Sequence, residues 1–177
     1  VQTVDEILKE TFMFNKAISY YDADGILLNL DITYAEAIYD AGKTYNINPC
    51  YLASKIRNEV VVSDGGSGSV SGKFEDYEGI YNFYNIGASD GTNPIKNGLE
   101  WAGSADGTYM RPWTDPEKSI CGGAMWIAEK YIAKGQDTGY LQKFNVNPES
   151  EYPVYTHQYM TNVSGADSQG YSTYLSY

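Results

Sequence analysis

The sequence predicts a mainly α domain of the α+β kind, with long active-site loops and at most a small β-hairpin. Three observations carry this. Helix-start signals recur at Asn48-Pro49, Asn93-Pro94 and Thr114-Asp115-Pro116-Glu117. At each, a polar side chain can cap free N–H groups, and proline sits in the first turn, where its missing N–H costs nothing. Apolar residues behind these signals recur at helical spacing, and a glycine- and serine-rich stretch over residues 63–72 reads as a loop between them.

Taken in order, Val4, Ile7, Leu8 and Phe12 fall at helix-like spacing, and Tyr20 to Gly25 reads as a loop. Residues 1–26 are therefore expected to form an arm or packing helix laid on the body. A helix over 33–45 follows, with Asp31 or Thr33 as its cap. The next runs from Pro49 to about Val62, burying Leu52, Ile56 and Val60 and leaving Glu59 one position off that stripe. A further helix begins at Pro94. The last long one runs from a Thr114/Glu117 capping box to Ile132, with Gly135 as C-cap. Gly122-Gly123 inside it costs about 1 kcal/mol per glycine relative to alanine, which predicts another helix backbone packed close by. Residues 164–177 read as a tail.

Length and composition narrow the function classes. A chain of 177 residues favours one domain with a real core. The formal net charge of -11 argues against nucleic acid and anionic membrane surfaces as partners. No run approaches the roughly 20 apolar residues of a membrane span. One histidine, His157, and two cysteines, Cys50 and Cys121, do not make a typical zinc site, so neither metal nor cofactor is expected. The cysteines are compatible with one disulfide or with two thiols. Gly65-Gly66-Ser67-Gly68 lacks the lysine of a phosphate loop, and a lone histidine supports no catalytic triad. Eighteen tyrosines are the compositional outlier; their flat faces and hydroxyls suit sugar rings as well as a half-exposed surface.

The stretch that carries chemistry is Ala53 to Val62. Cleaving a glycosidic bond needs an acid for the leaving oxygen and a group that stabilises or captures the sugar cation. A glutamate half desolvated beside Val60, Val61 and Val62 fits the acid. A glutamate near a helix C-terminus is usually only a solvated charge, yet the helix dipole disfavours it there. Glu75, Asp76 and Glu78 are candidates for a second carboxylate; a solvated acidic loop is the plainer reading of these three, and the same holds for Asp64. Asn82 and Asn85 suit an acetamido group or a fixed water, although loop asparagines more often form turns.

Asn48-Pro49 with Ala53-Ser54-Lys55-Ile56-Arg57-Asn58-Glu59-Val60 resembles the catalytic helix of the bacterial β-N-acetylglucosaminidases that trim peptidoglycan, the autolysin-type glucosaminidases. The likeness continues through Gly68 to Gly72, Tyr81-Asn82-Phe83-Tyr84-Asn85-Ile86-Gly87-Ala88, Arg111-Pro112-Trp113, the helix over 114–132 and the 140–146 and 155–162 stretches. It implies a lysozyme-like, two-lobed catalytic domain over 27–163, secreted and cell-wall associated, acting as a monomer on peptidoglycan glycan strands. The implied reaction is hydrolysis of the GlcNAc-β-1,4-MurNAc bond with Glu59 as general acid. Tyr81, Asn82, Phe83 and Asn85 would line the cleft, Trp113 would stand where many relatives have tyrosine, and Tyr155 and Tyr159 would lie near the sugar. A Cys50–Cys121 disulfide stays open beside two free thiols, since both helices should pack together. A loop carboxylate would give inversion; the substrate's own 2-acetamido group would give retention. The alternatives are a muramidase or lytic transglycosylase on the same scaffold, or a non-catalytic cell-wall glycan-binding module.

Overall fold

The computed structural model describes residues 1–62, 65–89, 91–159 and 163–176. Its described residues form α1 (Gln2–Ile7), a hairpin of β1 (Ala17–Tyr21) and β2 (Leu27–Thr33), α2 (Tyr34–Tyr45), α3 (Pro49–Val60) and a minimal hairpin of β3 (Val61–Val62) and β4 (Gly65–Gly66). Then come α4 (Pro94–Ala102), α5 (Pro116–Lys130), α6 (Gly139–Phe144) and α7 (Val163–Ser176), with short 3₁₀ turns between some of them. The mainly α class holds, with two antiparallel hairpins in place of at most one. β1 and β2 pair Tyr21 with Leu27 and Tyr20 with Leu28, so Tyr20 and Tyr21 lie in a strand, and Asp22 to Ile26 make the turn.

Local chemistry explains most helix boundaries. Thr33 caps α2 in a reciprocal box with Glu36. Asn48 caps α3 and Asn93 caps α4, each with proline in the first turn. On α5 the cap is Asp115, whose carboxylate accepts from the Lys118 amide at 2.8 Å, not Thr114 with Glu117. Asp115 wins because it sits immediately before Pro116, in extended backbone. α5 ends at Lys130; Gly135, at φ 83°, closes the 3₁₀ turn that follows it.

One hydrophobic cluster runs through the chain, from Val4, Ile7 and Leu8 of the N-terminal arm to Ile38, Leu52, Ile56, Phe83, Trp113, Ile120 and Ile127. The arm is tied down as well as packed, since Arg57 donates to the Ile7 carbonyl at 2.6 Å. The two glycines of α5 meet something other than a helix. A methyl at Gly122 would lie 2.2 Å from the Tyr109 carbonyl oxygen, and one at Gly123 would lie 2.1 Å from the Tyr84 ring. A loop backbone and an aromatic ring therefore occupy the space that a neighbouring helix was expected to fill. Cys50 on α3 and Cys121 on α5 are both free thiols, the second of the two alternatives left open by the sequence; burial pushes the Cys121 thiol up to about 11. The 164–177 tail is in large part a helix, α7, which packs on α3. No helix of the described residues is long and apolar enough to cross a membrane.

Candidate active site

The Asn48 cap and Pro49 start α3, and burial of Leu52, Ala53, Ile56 and Val60 fixes its rotation. Glu59 is thereby delivered, half-buried, in the last turn. The helix stops there because Val61 turns extended, and the Ser67 amide returns to donate to the Val60 carbonyl at 2.7 Å. Asn85 braces the glutamate from a separate loop. Its Nδ2 donates to the Glu59 carbonyl at 2.8 Å and lies 3.5 Å from Oε2, at the limit of a hydrogen bond.

Glu59 forms part of the wall of a cavity of about 450 Å³ enclosed by α3, α6, α7 and Tyr159. Lys55, one turn before Glu59, holds its Nζ 3.3 Å from the centroid of the Tyr159 ring. Burial pushes the Lys55 ammonium down to about 8, against the pull of the Glu59 charge. Lys143 of α6 is also pushed down by burial and also feels Glu59. Tyr159 is pinned at both ends: its hydroxyl donates to the Tyr84 carbonyl at 2.9 Å and its amide to the Gln142 carbonyl at 2.8 Å. Burial first, then the negative charge of Glu59, holds its phenol well above the usual range. Asn58 bridges to α7, donating to Thr173 at 3.0 Å and accepting from Ser172 at 2.8 Å.

The structure sorts the predicted residues into those at the cavity and those behind it. Glu59 and Tyr159 share its wall, and Asn85 touches Glu59. Asn82, Phe83 and Trp113 are buried in the interior, which corrects the expectation that they line the cleft, and Tyr81 borders a separate depression with Tyr20 and Tyr21 instead of the cavity of Glu59. Their polar atoms are used for structure: the Tyr81 hydroxyl bonds both amide and carbonyl of Tyr21, and the Asn82 amide donates to the Ile86 and Gly98 carbonyls. The Trp113 indole donates to the Tyr109 carbonyl at 2.7 Å. Tyr155 is 70% exposed and lies outside the cavity wall. Glu75, Asp76 and Glu78 are exposed and do not line the cavity either; Asp76 pairs with Lys96 at 3.7 Å. Asp64 falls outside the described residues. Lys55, Asn58, Asp137 and Lys143 are at the cavity and went unassigned in the sequence. The spacing of Lys55 and Glu59 already put them on one helix face, whereas nothing in the sequence brings Lys143 to α3. His157 stacks between Tyr152 and Tyr131, its Nδ1 2.8 Å from Gln136, as a structural group. No cluster of potential metal ligands occurs among the described residues.

No family model matches the chain. It is 32% identical over 151 residues to the bifunctional autolysin of Staphylococcus epidermidis, a match covering 81% of this chain and 10% of that protein. The match to the Staphylococcus aureus bifunctional autolysin is 27% over 168 residues, covering 89% and 12%. Among solved structures, a catalytic mutant of S. aureus autolysin E in complex with the disaccharide NAG-NAM superposes with a TM-score of 0.59 at 19% identity, over 99% of this chain and 89% of that one. Fold and site together define a mainly helical, lysozyme-like domain with a glutamate in its cleft. The chain is similar in sequence to bifunctional autolysins and in fold to autolysin E. It spans only about a tenth of the length of the curated relatives it matches.

Proposed function

We propose that this domain is an endo-β-N-acetylglucosaminidase that hydrolyses the GlcNAc-β-1,4-MurNAc bond of bacterial peptidoglycan, acting outside the cell at the wall, with Glu59 as general acid. The observation that carries this reading is the placement of Glu59: half-buried at a rigid helix end, braced by Asn85, in the wall of a cavity large enough for sugar. The capture of NAG-NAM by autolysin E supports a glycan as ligand. Glu59 would give its proton to the leaving oxygen as the anomeric carbon gains positive charge. For the second group, the reading favours the 2-acetamido oxygen of the GlcNAc unit, which closes on the anomeric carbon and is later displaced by water, with retention. Its support is that Glu75, Asp76 and Glu78 are absent from the wall Glu59 shares.

Glu59→Gln removes the proton and keeps the shape. Activity on purified peptidoglycan should fall by about 10³-fold with the melting temperature unchanged; substantial residual hydrolysis would refute the assignment. Mass spectrometry of the digest should find GlcNAc at the new reducing ends. Reducing MurNAc or anhydro-MurNAc would instead make the domain a muramidase or transglycosylase, and binding without turnover would make it a glycan-binding module. Alanine at Glu75, Asp76 and Glu78 in turn should leave turnover within a few-fold if the acetamido group is the nucleophile.

A further inference from the structure

Lys55 and Lys143 face the same cavity as Glu59, and the mechanism above uses neither. In a chain with 23 acidic and 12 basic residues, carboxylate partners are abundant. Yet among the described residues neither lysine has a carboxylate oxygen within 4.0 Å. Glu59 and Asp137 line the same cavity, but the direct contacts of the two lysines are neutral: Lys55 lies on the face of Tyr159, and Lys143 donates to Gln169 of α7. Both ammoniums are partly desolvated, and both are pushed down by it. Two partly desolvated cations with no carboxylate in direct contact cost stability, and a functional site is where such a cost is kept. A neutral sugar chain gives no return for it. An anionic one does, because its carboxylate replaces the lost hydration with charge-assisted hydrogen bonds.

We propose that Lys55 and Lys143 form an anion-recognising subsite beside Glu59 that takes a carboxylate carried by the muramyl unit of the substrate. This deepens the reading of the domain as a peptidoglycan glucosaminidase and rests on it. The shared chemistry has two sources: the lactyl carboxylate, free only where the stem peptide has been removed, and the carboxylates of an intact stem peptide. Recognition of the free lactyl group would place this enzyme after an amide-cleaving reaction that strips the peptide. Lys55 and Lys143 are then specificity residues, and Tyr159 and Gln169 position them.

The test is the ratio of kcat/KM on acidic and neutral substrates, measured with the intact domain. Three GlcNAc-MurNAc oligomers of one length serve: lactyl carboxylate free, the same group converted to the methylamide, and stem peptide attached. The wild type should prefer one of the carboxylate-bearing oligomers over the methylamide by at least about tenfold, mainly through KM. Preference for the free lactyl form or for the peptide form identifies the source. Raising the salt from about 0.05 to about 0.5 M should shrink the ratio, and Lys143→Gln and Lys55→Met should each bring it toward one. A wild-type ratio near one, or variants that keep the wild-type ratio, would overturn the subsite. The substrate and salt comparisons need only the wild type, so a variant that fails to fold leaves the proposal open to refutation. Loss of hydrolysis on all three oligomers by the wild type would instead remove the glucosaminidase reading itself.

Discussion

Asn85 shows how one side chain can be legible in type and misread in role. Its amide lies in an aromatic, amide-rich stretch, which suggests a sugar contact; in the fold it donates to the backbone of the helix turn that bears Glu59. It also sits at φ 50°, a left-handed conformation that asparagine tolerates better than alanine does. Asn85→Ala should therefore lower stability by about 1–2 kcal/mol. Because the turn that aims Glu59 is loosened, kcat should drop about tenfold with KM little changed. Steady-state kinetics and a thermal melt on the same variant check both halves. Tyr81, Asn82 and Phe83 carry the same lesson. Amides and aromatics are read equally well as ligand contacts or as a satisfied core, and only their neighbours decide which.

At the scale of elements, caps and apolar stripes locate α2, α3, α4 and α5 well, because these are properties of adjacent residues. α7 escapes such reading. Of its described residues Ala166 is buried, while Val163, Tyr171, Tyr174 and Leu175 are exposed, so it has no apolar stripe to betray it. Its hold on α3 is polar, through Asn58 with Ser172 and Thr173. The Gly122-Gly123 pair is the reverse case: its cost signals a close approach, but the sequence does not name the neighbour. Gly122→Ala sets a methyl against the Tyr109 carbonyl and the Trp113 indole. Gly123→Ala sets one against Tyr84, whose carbonyl anchors Tyr159. Each should destabilise by about 2–3 kcal/mol, lowering the melting temperature by about 5–10 °C. The Gly123 variant should additionally weaken activity at a temperature where both remain folded.

For the whole molecule, buried ionisable groups set the pH dependence of stability. Lys55 titrates at about 8 folded against 10.5 unfolded, and Lys143 is shifted the same way. Between those values the unfolded chain holds protons that the folded chain has released, so stability rises with pH. The Cys121 thiol works oppositely, at about 11 folded against 9.0 unfolded, as do Tyr34, Tyr81 and Tyr131 at about 12 against 10.0. There the unfolded chain ionises first, and stability falls as pH rises. Melting temperature scanned over pH should climb above about 8, peak near about 9 and then decline, and Lys55→Met should flatten the climb. Thiol titration of denatured, unreduced protein should find two free thiols, matching the unpaired Cys50 and Cys121.

What the sequence by itself determined is local. Helix starts, the rotation of α3 and the emergence of Glu59 at the core margin follow from residues a few positions apart, where caps, proline and apolar spacing act. The tertiary structure alone decided which aromatics became core, that the cysteines stay unpaired, and that Lys143, Tyr159 and α7 close around Glu59. Those outcomes depend on contacts between segments as far apart as Asn58 and Thr173. Such contacts depend on how whole elements pack, and no short-range pattern encodes them.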